Sequence, residues 1–286
     1  MFAHKFHAQK VVVPKIILIG DCLKRLRELD SASVRTCVTS PPYWGVRNYE
    51  NAKDQVGLEQ TPKEYVSALV AIFREVRRVL TVDGTLWLNI ADSYARDPRK
   101  GRSGRGKESA YFGSRKATLQ TTRPIPNGLK PKDLVGISWM LALALQLDGW
   151  YLRSEVIWEK PNAKPDGARD RPTVSHERIF LLSKSERYFY DRKAIEERTV
   201  SGAGHRNCRS VWHVKTTAYA GEHFASFPSE IPERCIRAGS EPGDVVLDPF
   251  AGSGTTLRAA DWLGRGYVGI ELNGKYRPLI QERLAF

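Results

Sequence analysis

The chain is poor in sulfur, with four cysteines and two methionines in 286 residues. Cys22, Cys37, Cys208 and Cys235 form no CxxC pair and no Cys/His pattern, which argues against a disulfide framework and leaves no metal-ligand set. Such cysteine usage suits a reducing cytoplasm. No apolar run reaches the roughly 18 residues that a membrane-spanning helix needs. The opening segment, MFAHKFHAQKVVVPKIILIGDC, is interrupted by Lys15 and lacks a small-residue cleavage site. It therefore reads as a lead-in and a strand rather than a signal peptide. Acidic residues are also scarce: 32 Asp and Glu face 45 Lys and Arg, for a net charge of +13. That excess is unusual for a small-metabolite enzyme and points to a polyanionic partner, nucleic acid before anionic membrane.

What is present is enough for one large packed domain, since 41% of the residues are hydrophobic. KIILIGDC (15–22) is a buried-strand run, LKRLRELD has helical spacing, and VRTCVTS reads as a second strand. Strand, helix, strand is the start of a parallel α/β sheet. TPKEYVSALVAIFREVRRVL (61–80) opens on an N-cap with proline behind it and repeats its apolar residues at three and four. DGTLWLNIADSY (83–94) predicts a turn and a buried strand. ISWMLALALQLDGW (137–150) predicts a largely buried helix and YLRSEVIWEK (151–160) a strand. ERIFLLSKS and ERYFYD (177–191) suggest a hairpin about Lys184-Ser185. PSEIPERCIRAGS (228–240) and KYRPLIQERL read as helices.

Two stretches lack this periodicity. Residues 95–130, rich in Arg, Lys, Gly and Ser, read as a mobile basic loop that becomes ordered on a phosphate backbone, with a solvated linker as the alternative. Residues 192–222 are polar and irregular. The expected organisation is a single catalytic domain over residues 1–286. Residues 95–130 are an insertion in it, and residues 185–222 are a target-recognition region.

Two motifs carry chemistry. In VVLDPFAGSGTT a strand leads into a loop containing Gly252 and Gly254, a helix follows, and YVGIEL ends the next strand in Glu271. Glycines let a ligand approach the backbone, and an acid at the next strand end suits ribose hydroxyls. Leu257 stands where a dinucleotide fingerprint has its third glycine, and no lysine follows a glycine as in a P-loop. Asp248 disfavours a pyrophosphate and favours a cationic amino or sulfonium group. The loop fits an adenosine with a positively charged tail. In TCVTSPPYW the prolines cannot donate to a sheet, so a strand must stop there in a stiff corner.

DPFAGSGTT together with TSPPYW resembles the S-adenosylmethionine-dependent DNA methyltransferases that modify exocyclic amino groups. Their order along the chain, with the Pro-Pro motif first, resembles the circularly permuted β group of that family. HFASFP (223–228) looks like the family's tenth motif, and GDC (20–22) like its adenine-side acid. The resemblance spans nearly the whole chain outside the basic loop and residues 192–222. It implies a Rossmann-like methyltransferase fold: a mixed seven-stranded sheet with helices on both faces. S-adenosyl-L-methionine would be held by Asp248, Pro249, Phe250, Gly252, Ser253, Gly254, Thr255, Thr256 and Glu271. Asp21 would lie near the adenine, and Phe224 and Phe227 near the methionine end, unless these two are core aromatics.

The Ser-Pro-Pro-Tyr corner (Ser40, Pro41, Pro42, Tyr43) then has a chemical role. The Ser40 hydroxyl and the Pro41 carbonyl accept the N–H bonds of an exocyclic amino group, and Tyr43 stacks on a base flipped from the duplex. Trp44, Arg47 and Tyr49 either line the base pocket or pack. Ring attack at cytosine C5 needs a cysteine beside a proline, and Cys37 adjoins none. Arg99, Lys100, Arg102 and Arg105 are candidates for phosphate contact, and His205, Arg206 and Arg209 for the recognition region. Serine before Pro-Pro-Tyr is more frequent among the cytosine-N4 enzymes of this family. The expected reaction is therefore site-specific N4-cytosine methylation, with adenine-N6 as the alternative. The rivals from other classes are an NAD-dependent oxidoreductase and a non-catalytic DNA-binding module. Double-stranded DNA is the implied substrate, a cognate restriction endonuclease the implied companion, and a monomer or homodimer the implied assembly.

Overall fold

A computed structural model describes residues 13–45, 55–95, 125–199, 201–216 and 227–285. One sheet dominates it. Strands β1 (Lys15–Ile19), β2 (Val34–Thr39), β3 (Leu80–Ile90), β4 (Tyr151–Glu159), β5 (His176–Ser183), β8 (Val211–His213), β9 (Val245–Asp248) and β10 (Gly266–Glu271) lie in the order β1-β10-β9-β2-β3-β5-β4-β8. The first five neighbours are parallel; β5 runs antiparallel to both β3 and β4, and β8 is parallel to β4. The sheet is mixed, as expected, and among the described residues it has eight strands rather than seven. The eighth is β8, whose three residues are too few to show a period of two.

Helices cover both faces, which is why β2, β9 and β10 are buried along nearly their whole length rather than at alternate residues. On one side α1 (Cys22–Arg27), α2 (Pro62–Val79) and α3 (Ile137–Leu147) share a core around Leu26, Tyr65, Leu69, Phe73 and Leu141. On the other, α4 (Glu230–Gly239), α5 (Thr255–Trp262) and α6 (Arg277–Ala285) bury Ile231, Cys235, Leu257 and Ile280. A complete capping box starts α2: the Thr61 hydroxyl accepts from Glu64 N at 3.2 Å, and the Glu64 carboxylate accepts from Thr61 N at 3.0 Å. With Pro62 in its first turn, this helix begins where the sequence places it.

Several expectations need correction. Helix α3 buries only one face; Trp139, Met140, Leu143 and Leu147 are exposed. The expected hairpin about Lys184-Ser185 is absent. Strand β5 pairs instead with β4 upstream and with β3. Residues 186–191 leave the sheet and are held by Phe189 N to Asp83 O (2.9 Å) and Asp191 N to Ala238 O (2.8 Å). The apolar run at β1 is half-exposed, because β1 is an edge strand. Residues 192–216 are more regular than their composition suggests. Strands β6 (Glu197–Arg198) and β7 (His205–Arg206) form a small antiparallel pair, and Trp212 is buried in β8, its ring 6.3 Å from that of Trp87. Most of the basic stretch 95–130 lies outside the described residues. Its described flanks are tied together by Ala95 N to Asp133 O and Lys132 N to Ala95 O, both 2.8 Å, just beyond the end of β3.

This topology brings chemistry to one edge. The carboxyl ends of β1, β10, β9, β2, β3 and β4 and the amino end of β5 all lie on the same side of the sheet. The connections after β9 and β2 leave in opposite directions, one through α5 to β10 and one through α2 to β3. Open α/β sheets bind ligands at such a switch point.

Candidate active site

The glycine loop follows β9 directly. Asp248, buried at 3% exposure, ends the strand and accepts from the Phe250 N–H at 3.0 Å and the Thr39 hydroxyl at 2.6 Å. Burial pushes its carboxyl up to about 6, against those two donors. On the neighbouring strand Glu271 accepts from Gly252 N at 2.9 Å and Asn273 N at 2.8 Å. Burial pushes that carboxyl up to about 7, with Asp248 adding like-charge repulsion. Among the described residues neither carboxylate has an ion-pair partner.

The two glycines of the loop answer different needs. Gly254 (φ +81°) caps α5, and a Cβ there would come within 3.0 Å of Ile280. At Gly252 (φ +52°) a Cβ would meet nothing closer than Phe250 O at 3.9 Å. Its N–H is held by Glu271, and the side of the backbone where a Cβ would stand is open. From α6, Arg283 donates to Ser253 Oγ at 2.8 Å and to Thr255 Oγ1, tying the loop to the last helix. An open glycine face between two buried carboxylates that have no cation partner among the described residues fits a ligand with hydroxyls at one end and positive charge at the other.

Asp21 caps α1 by accepting from Lys24 N at 2.9 Å, beside Gly20, whose N–H donates to Glu271 O at 2.9 Å. It stands at the same strand edge with part of its carboxylate committed to the helix. Pro249, Ser253, Thr255 and Thr256 are buried beneath the loop, whereas Phe250 is partly exposed and packs toward the core. Phe227 packs against the second core, the plain structural alternative raised for it; Phe224 lies outside the described residues.

The Ser-Pro-Pro-Tyr corner adjoins this loop. Thr39 and Asp248, 209 positions apart, hydrogen bond across β2 and β9, so Ser40 begins where the Asp248 carboxylate ends. Tyr65 from α2 donates to Pro42 O at 2.9 Å. The packing is tight against a side chain at Gly57 (φ +96°), whose Cβ would sit 3.2 Å from both Pro42 O and Tyr43 O. Trp44 is buried and donates through Nε1 to Glu59 O at 2.9 Å, so it packs; Arg47 and Tyr49 lie outside the described residues. Cys37 is wholly buried inside β2, and burial holds its thiol well above the usual value, as expected of a non-nucleophile.

Behind the corner lies a polar cluster that the motifs did not announce. Tyr43 Oη donates to Glu177 Oε2 at 2.6 Å, and Ser40 Oγ donates to Tyr43 Oη at 3.2 Å. Asn89 Nδ2, from β3, donates to Tyr43 Oη (3.0 Å) and Glu177 Oε2 (2.9 Å), with Ser40 Oγ at 3.4 Å. Lys160, just past β4, ion-pairs with Glu177 Oε1 and lies 4.5 Å from the centre of the Trp158 ring. The sequence carries a signal for part of this cluster: Asn89 is a polar residue within the apolar run of β3, whereas Glu177 sits among charged and polar neighbours, His176 and Arg178, at the start of β5.

The candidate DNA contacts divide. Arg206 and Arg209 both pair with Glu197, at 3.6 and 3.1 Å, while His205 is exposed. Arg99, Lys100, Arg102 and Arg105 lie outside the described residues.

A doubly covered, mixed α/β sheet with these two motifs meeting at its carboxyl edge has the Rossmann-like fold of the S-adenosylmethionine-dependent methyltransferases. Within that class the chain belongs to the N6/N4 DNA methylase family, whose model, described as DNA methylase, matches residues 34–282. It is 53% identical over 265 residues to Type II methyltransferase M.XycI of Xanthomonas campestris pv. cyanopsidis, covering 93% of this chain and 86% of that one. To Type II methyltransferase M.SmaI of Serratia marcescens it is 49% identical over 269 residues, covering 94% and 90%. The structure of TTHA0409 from Thermus thermophilus, complexed with S-adenosyl-L-methionine, matches with a TM-score of 0.64 at 25% identity over 95% of this chain and 93% of that one. PvuII DNA methyltransferase (cytosine-N4-specific) shares the fold with a TM-score of 0.68 at 21% identity, over 95% and 88%.

Proposed function

We propose that this DNA methyltransferase moves the methyl group of S-adenosyl-L-methionine to the exocyclic N4 of a flipped cytosine at a specific site in double-stranded DNA. The observation that carries the reading is the hydrogen bond from Thr39 to Asp248, which sets the Ser-Pro-Pro-Tyr corner against the glycine loop. Bound there, the cofactor supplies an electrophilic methyl carbon on a positively charged sulfur. Asp248 and the loop from Pro249 to Thr256 would hold its methionine part, Glu271 its ribose hydroxyls, and Asp21 its adenine side. Phe224 and Phe227 would close the methionine end.

An exocyclic amino nitrogen is a weak nucleophile because its lone pair is delocalised into the ring. Ser40 Oγ and the Pro41 carbonyl, accepting its two N–H bonds, draw the nitrogen toward tetrahedral geometry and favour the positive charge that develops there. The Pro42 carbonyl is already engaged by Tyr65, and that bond holds the corner in place. Tyr43, its hydroxyl held by Glu177 and Asn89, offers a fixed ring for the flipped base. Arg99, Lys100, Arg102 and Arg105 would contact phosphates, and His205, Arg206 and Arg209 would take part in recognition. Both relatives named above are type II methyltransferases, which supports a companion restriction endonuclease acting at the same DNA sequence.

Incubating unmethylated plasmid DNA with methyl-labelled S-adenosylmethionine and digesting it to nucleosides tests this. N4-methylcytosine is the expected product. N6-methyladenine as the sole product would overturn the choice of base, and no incorporation would overturn the activity.

A further inference from the structure

We infer that Glu177 is a positioning residue that sets the direction of the hydrogen bonds at the reacting corner, turning Ser40 into an acceptor and so selecting an amino group as the target. The inference rests on the reading of Ser40 given above and extends it to residues outside the motif. A hydroxyl can donate or accept, and nothing in Ser-Pro-Pro-Tyr itself decides which. Glu177 decides it, because a carboxylate accepts and does not donate. Burial and the adjacent carboxylate hold the Tyr43 phenol well above its usual value, so Tyr43 keeps its single proton. That proton is given to Glu177 at 2.6 Å, so Tyr43 Oη faces Ser40 as an acceptor and Ser40 donates to it at 3.2 Å. Asn89 Nδ2, a long 3.4 Å donor, reaches one lone pair of Ser40, and the other is what an incoming group meets.

The same carboxylate orients Asn89. Nδ2 points to Glu177 Oε2 at 2.9 Å, since the amide oxygen there would face a like charge. Asn89 Oδ1 is buried without a hydrogen-bond partner among the described residues, a second surplus acceptor. Lys160 holds the other carboxylate oxygen and compensates its buried charge, both side chains being about nine-tenths buried. The donors of Ser40, Tyr43 and Asn89 are thus directed within the cluster while acceptors remain. Such a corner welcomes an N–H donor and repels a base carbonyl, whose acceptor would face acceptors.

Glu177→Gln tests this, because the shape is kept while an amide N–H becomes available to Tyr43 and can reverse the chain. On unmethylated plasmid DNA, kcat should fall about a hundredfold or more, the scale of losing one transition-state hydrogen bond. The Kd for S-adenosylmethionine should stay within about threefold, because Glu177 lies behind the Ser-Pro-Pro-Tyr corner, not the glycine loop. Tyr43→Phe removes the middle of the chain, so Glu177→Gln should cost little more in that background. A purely structural role predicts additive losses instead. Full turnover by folded Glu177→Gln, or additive losses in the double variant, would overturn the inference. Should Glu177→Gln not fold, Tyr43→Phe at wild-type kcat overturns it by itself. Ser40→Ala separates the two levels. If Ser40→Ala is inactive while Glu177→Gln is active, only the role of Glu177 fails; if Ser40→Ala is fully active, the underlying reading fails.

Discussion

Asp248 and Glu271 set the cost of leaving the proposed cofactor site empty. Both carboxyls are raised in the fold, to about 6 and about 7, chiefly by burial. A raised carboxyl stabilises the fold fully below its unfolded value near 4, and that contribution is lost as the pH rises through 6 and 7. For Asp248, whose carboxyl is raised from 3.8 to about 6, that contribution is roughly 3 kcal/mol. A ligand carrying positive charge reverses the preference by favouring the ionised forms. Cofactor affinity should therefore be full above about pH 7.5 and weaken by about tenfold or more toward pH 5.5, where both groups must give up protons on binding. Calorimetry at the two pH values measures this directly. Asp248→Asn should raise the melting temperature of the ligand-free protein at pH 8 while weakening the cofactor; equal affinity at both pH values would contradict the assignment.

Among the elements, α2 and the turn before it hold the reacting corner as firmly as the strand that delivers it. Tyr65 engages Pro42 O, Trp44 engages Glu59 O, and Gly45 N donates to Gly57 O at 3.0 Å. Gly57→Ala should destabilise the protein by about 1–3 kcal/mol, through its positive φ and the two carbonyls 3.2 Å from the new Cβ. The damage falls on the corner, so turnover should drop more than cofactor affinity. Thermal melting with single-turnover kinetics resolves both effects, and an unchanged melting point would show that the turn yields without strain. The sequence marks the beginning of α2 plainly, through Thr61, Pro62 and Glu64. It does not mark Gly57, whose importance lies in contacts with residues 42 and 43 across a turn.

The molecule as a whole carries a charge of +13, with part of its arginine already paired to acids such as Glu197. DNA affinity should fall steeply with salt, log K declining by about 0.9 per phosphate contacted for each unit of log salt. Arg209→Ala should flatten that slope by about one and leave the methylated base unchanged, if Arg209 exchanges Glu197 for a phosphate on binding. Electrophoretic or fluorescence titrations across a salt series read the slope. A flat dependence would remove the polyanion from the account of this charge.

By itself the sequence determined the class of fold, through apolar runs separated by helical spacing, and marked both the Pro-Pro corner and the glycine loop, through prolines and glycines whose backbone limits are local. It also excluded a disulfide scaffold and a C5 nucleophile, because cysteine spacing is read without coordinates. Tertiary structure alone decided the pairing of β5 with β3 and β4, where local patterning suggested a later hairpin, because pairing partners are chosen by the sheet. It likewise decided the eighth strand, held in place by β4 and by the buried Trp212. Above all it decided which polar residues stand behind the corner. Asn89, Lys160 and Glu177 come from three separate strands or strand ends, and only the closing of the sheet brings them to Tyr43, where burial makes the direction of each hydrogen bond matter.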